Sequence, residues 1–243
     1  MNTSAPGLAR QLAVIALPAA LVACGGGSSS NDAPPAPPAA LAISGTAATG
    51  AAMANASVTI SCAAGTATAT TGSDGKFSAS ITGGALPCVL TATSSDKSLE
   101  LHSLIPGASS GSATATANIT PLSELLIAKY AGTDPKAFVT GFTTATTIKA
   151  SDIGTAQTAL LGTLKTAGVD TTKAADILGG SIAAGSKTDY DGVLEQLKTA
   201  LAGAGASLAD LSAAVQSASK SSDTTAGATL TTLLARPPRI APA

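Results

Sequence analysis

Two hydrophobic periods divide this chain. From Leu41 to about Ile119 apolar residues recur at every second position, and from Thr120 onward they recur every three to four. A period of two sends successive side chains to opposite faces of a strand, whereas a period near 3.6 aligns them along one face of a helix. No single element satisfies both. The expected fold class is therefore α+β, with an N-terminal antiparallel β-sandwich over residues 41–119 followed by a C-terminal α-helical bundle over 120–219.

In the first part, ASVTISC sets Val58, Ile60 and Cys62 against Ser57, Thr59 and Ser61. KFSASIT places Phe77, Ala79 and Ile81 on one face, and CVLTAT does the same for Cys88, Leu90 and Ala92. Such alternation predicts half-buried antiparallel strands. Asp74-Gly75 within GSDGK predicts a hairpin, because Gly accepts the positive φ that the turn requires. Aromatic residues make up only 2% of the chain, so the core must be built from small and aliphatic side chains.

In the second part, Thr120 is the expected N-cap and Pro121 the first residue of a helix carrying Leu122, Leu125 and Leu126, with Gly132 at its end. Asp134-Pro135 opens a second, bearing Phe138, Val139 and Phe142. Ser151 is expected to cap a third, with Ile153, Ala156, Leu160, Leu161 and Leu164 on one face. A short helix is expected over 172–178, then one over 190–202 with Val193, Leu194, Leu197 and Leu201, then one opened by Ser207 with Leu211 and Val215. These faces cover one another in a bundle. A loosely ordered Ala-rich appendage is the alternative, since Gly recurs within several segments. Residues 220–243 are Ser/Thr-rich and are expected to be a disordered tail.

The run ISGTAATGAAMANASVTISC, then ATATTGSDGKFSASI, then CVLTATS resembles the carboxypeptidase-regulatory-like, transthyretin-like β-sandwich family. Thr71, Asp74, Gly75 and Phe77 carry the hairpin motif, while GAAMANAS departs from the family's usual loop. The resemblance covers about a third of the chain and implies an accessory module without peptidase activity. NITPLSELLIAKYAG also resembles the segment that follows such sandwiches in proteobacterial lipoproteins.

The N-terminus is consistent with export. Leu12 to Val22 is apolar and too short to span a bilayer, which takes ~20 residues. It fits the central part of a signal peptide over 1–23. Leu21-Val22-Ala23-Cys24 resembles the bacterial lipobox, in which the cysteine thiol takes a diacylglycerol group and becomes the new N-terminus. The resemblance implies lipid attachment at Cys24 and, with Gly25 rather than Asp following it, an outer-membrane location. An ordinary signal peptide with an incidental cysteine, or an uncleaved anchor, are the alternatives. Residues 24–40 then form a Gly/Ser/Pro tether with a reach on the order of 30 Å.

Setting Cys24 aside leaves Cys62 and Cys88, both in phase with inward-facing apolar residues. In an oxidising compartment an even remainder points to a disulfide, and two buried free thiols are the alternative.

Net charge is −1 with 11% charged residues, which lacks the basic footprint of a nucleic-acid binder. No phosphate-binding loop or Cys-x-x-Cys appears, and the single histidine, His102, shares parity with Glu100 and is expected on a solvent-facing strand face. The TDYDG at 188–192 lacks the later ligands of a calcium loop, and a solvated helix start accounts for Asp189 and Asp191. No catalytic, metal or cofactor site is expected. The function expected is a non-catalytic binding or scaffolding module, anchored to membrane lipid through acylated Cys24 and contacting an envelope protein or polysaccharide. The alternatives are a hydrolase or carbohydrate-active accessory protein, or a carrier of a small hydrophobic ligand.

Overall fold

The computed structural model describes residues 39–107 and 113–220. The signal peptide, Cys24, nearly all of the tether and the residues beyond Lys220 lie outside these. Seven strands are described: β1 (Ala40–Thr46), β2 (Ser57–Ala64), β3 (Thr66–Thr70), β4 (Lys76–Thr82), β5 (Ala85–Thr93), β6 (Glu100–Ile105) and β7 (Thr114–Thr116). They form two sheets, in the orders β4-β1-β7 and β3-β2-β5-β6. All neighbours are antiparallel except β7, which runs parallel to β1. The fold is thus mixed α+β, as the change of period predicts.

The two sheets enclose one apolar core. Leu41 and Ile43 of β1 and Phe77 and Ile81 of β4 share it with Val58, Ile60, Cys88, Leu90 and Leu101 of the other sheet. Cys62 faces Cys88 across the β2–β5 ladder, with Cα atoms 3.9 Å apart and the sulfurs at disulfide distance.

The turn after β3 departs from the expectation in an instructive way. Gly75 has φ 78°, as its Asp-Gly sequence predicts, and Asp74 Oδ1 accepts the Lys76 N–H at 3.1 Å. Yet β3 and β4 are not a hairpin pair, because they belong to different sheets. Thr71 breaks the strand: its buried hydroxyl accepts the Ala56 N–H at 2.8 Å and donates to the Met53 carbonyl. Gly75 then abuts β1's extension, where a Cβ would sit 2.5 Å from the Ala47 carbonyl oxygen. The turn chemistry is local, but the strand pairing is decided by this corner.

Five helices are described: α1 (Pro121–Ala131), α2 (Pro135–Thr140), α3 (Ala150–Thr166), α4 (Asp189–Ala204) and α5 (Leu208–Lys220). Thr120 caps α1 in a reciprocal box with Ser123, and Asp134 caps α2 by accepting the Ala137 N–H. Ser207 and Asp210 bond each other's backbone N–H at the start of α5. That arrangement holds the Asp210 carboxyl below its ordinary range, chiefly through the Ser207 N–H. Ser151 is not a cap. Lys149 occupies that position without a side-chain bond, because α3 starts two residues earlier than expected. The expected helix at 172–178 is only a 3₁₀ turn, Thr172–Ala174.

The helices form a third layer. Val89 and Leu104 are a cross-strand pair on the outer face of β5–β6, and both join the helical core with Leu122, Leu125 and Leu126 of α1. The described strands and helices lie in a single compact unit. The change of period at Thr120 is therefore a change of layer within it. Buried Asn118 ties the layers together, and buried Tyr190 ties α4 to the segment that precedes it within the helical layer. Buried Asn118 accepts the Thr46 N–H at 3.1 Å and donates to the Gly180 carbonyl at 2.6 Å. Tyr190 of α4 donates its hydroxyl to the Ile177 carbonyl at 2.8 Å, and burial pushes its phenol well above the usual range.

Candidate binding cleft

The α4 stripe that packs the helical core also reaches a cleft. Leu194, Leu197, Lys198 and Leu201 recur at i, i+3, i+4 and i+7, the spacing of one helix face. Gly205 ends α4 in the left-handed conformation at φ 62°, and the Ala206 N–H returns to the Leu201 carbonyl at 3.0 Å. This turn brings Ala206 and Leu208 round to form the opposite wall. The sandwich layer supplies Thr49 and Leu99, and Pro121 lies at the start of α1. The cleft is open to solvent on one side, its volume is about 350 Å³ and its lining is predominantly apolar. That falls within the range of small-molecule sites, roughly 300–1,000 Å³.

A second cluster lies beneath α1. The expectation that His102 faces solvent is overturned: it is 3% exposed. As its parity with Glu100 implies, it points away from the sandwich interior, but α1 covers that face. Glu124 Oε2 accepts the His102 backbone N–H at 2.6 Å and lies 3.0 Å from Nδ1. Ser123 Oγ donates to the His102 carbonyl at 2.7 Å. Since β6 is an edge strand, these two helix side chains satisfy backbone groups that no further strand pairs. On the other side of the ring, Nε2 lies 3.4 Å from Glu100 Oε1, which Lys136 Nζ approaches at 3.0 Å.

A histidine–carboxylate pair could serve acid–base chemistry, but this ring lies under a helix with both nitrogens facing carboxylates. The Ser123 hydroxyl, bonded to the His102 carbonyl, is committed to the cap of α1 and the edge of β6. The arrangement clamps helix to sheet. Among the described residues no group of three or more His, Cys, Asp or Glu is placed to hold a metal ion.

Asp191, expected at a solvated helix start, is likewise buried. Its Oδ2 accepts the Lys187 N–H at 2.7 Å, stabilising a turn in which Lys187 takes φ 59°. The neighbouring Asp189 is exposed, as expected.

The leucine face of α4 is legible in the sequence, but the cleft is not, because its other walls come from distant segments. No protein-family model matches this chain, and neither does any curated protein or any solved structure.

Proposed function

We propose that this chain is a non-catalytic binding module, tethered to the outer membrane through acylated Cys24, that carries a small hydrophobic ligand in the cleft between α4, α5 and the sandwich. The observation that carries the reading is the cleft itself: an open apolar groove with a single charged residue in its lining. The reading of the strands as a transthyretin-like sandwich rests on the Thr71–Phe77 motif and is supported by two sheets around one core. The anchoring reading rests on Leu21-Val22-Ala23-Cys24 alone. With acyl chains on Cys24 the module stays at the membrane, since more than one chain gives stable attachment.

Two experiments test the two halves. The full chain carrying Cys24→Ala is expected to leave the membrane fraction with its fold intact. Retention in the membrane with unchanged processing overturns the anchor. For the cleft, Ala202 lines the cavity and is itself exposed, so a bulky side chain there fills the space without entering the core. Ala202→Trp, placed in the full chain already bearing Cys24→Ala, is expected to weaken decanol binding at least tenfold by calorimetry while leaving the urea midpoint unchanged. Undiminished binding overturns the site.

A further inference from the structure

The cleft's single charge specifies more than an apolar ligand. Lys198 is the only ionised side chain among its lining residues, and it sits on the same face of α4 as Leu194, Leu197 and Leu201. Those three leucines are buried at 1%, 1% and 8% exposure, so the floor is already packed. The Lys198 side chain is 62% exposed, with Nζ 3.4 Å from Glu195 Oε1. An exposed i, i+3 pair of this kind is weak and screened, so a second anion can share or displace it. Lysine is a compact cation with rotatable donors on a long flexible stem, suited to a point-like carboxylate at the edge of an apolar surface.

The volume bounds the other end of the ligand. A cavity of about 150 Å³ accommodates benzene, so one of about 350 Å³ has room for roughly a dozen carbons. Resting on the cleft reading above, we infer that the ligand is a single-chain, medium-length carboxylate. Its head pairs with Lys198 and its chain lies against Leu194, Leu197 and Leu201.

The test compares decanoate with decanol, two ligands of equal chain length that differ in the head. Calorimetry uses the full chain bearing Cys24→Ala, at low ionic strength and near-neutral pH. Decanoate is expected to bind several-fold more tightly than decanol. Lys198→Gln should abolish that difference. Glu195→Gln, which removes the competing carboxylate, should tighten decanoate further. Equal binding of the two ligands by the unsubstituted cleft overturns the inference and leaves the cleft reading standing, as does a preference for decanoate that survives Lys198→Gln. Binding of neither ligand overturns both. So does a dimer by sedimentation that shields the cleft from both ligands, since the occupant is then a second copy of the chain.

Discussion

A chain in which Cys62 and Cys88 are both replaced by alanine is expected to unfold about 3.5 kcal/mol more easily than the oxidised protein, on the chain-entropy relation for a separation of 26 residues. The effect acts mainly on the unfolded ensemble, which the crosslink denies its most extended conformations. A smaller contribution comes from the core, where Cys88 is fully buried and Cys62 nearly so. Both residues sit in the β2–β5 ladder at the centre of their sheet, so the closed loop contains β3 and β4 and touches both sheets. Equilibrium urea unfolding of the oxidised and double-alanine proteins measures the difference. Coincident midpoints, or two thiols that alkylate freely in the native exported protein, would refute the crosslink.

Glu124→Ala is expected to cost about 3 kcal/mol, as removal of one member of a buried charge-assisted network does. The carboxylate is 12% exposed and accepts from the His102 backbone N–H while facing its ring. Its loss leaves a strand-edge donor without an acceptor and uncovers one side of a buried imidazole. Glu124→Gln retains an oxygen for the backbone N–H and should recover part of the loss. Lys136→Ala should change stability by no more than ~0.5 kcal/mol, because Lys136 is 68% exposed and its pair with Glu100 is half in solvent. Urea midpoints for the three variants give the ranking. A cost for Glu124→Ala no greater than that for Lys136→Ala would show that the clamp does not hold α1 to β6.

Both substitutions act where layers meet or strands are crosslinked. The proposed cleft depends on the same junction. Thr49 and Leu99 reach it from the sandwich and Pro121 from the start of α1, so loosening α1 on β6 should disturb one wall of the cleft while α4 remains folded. Its lining is small and aliphatic, consistent with the near absence of aromatic residues in the sequence.

What the sequence determined by itself are the features whose cause lies within a few residues. Alternation placed Val58, Ile60, Phe77, Ile81, Cys88 and Leu90 on interior faces, and the structure buries all six. Thr120, Asp134 and Ser207 announce helix starts because their side chains bond N–H groups three residues ahead. Asp74-Gly75 announces a positive φ for the same reason of proximity. Only the tertiary structure decided which outward faces meet water. His102 and Glu124 are 22 residues apart, and Thr46 and Asn118 are 72 apart. Nothing in the period of β6 distinguishes a face covered by α1 from one left in solvent. Likewise Asp191 is buried where its carboxylate accepts the Lys187 N–H, and β3 and β4 lie in different sheets with Thr71, between them, bonded to the 53–56 loop. The cleft belongs to this second class, since a helix stripe specifies one wall and the packing of remote segments supplies the others.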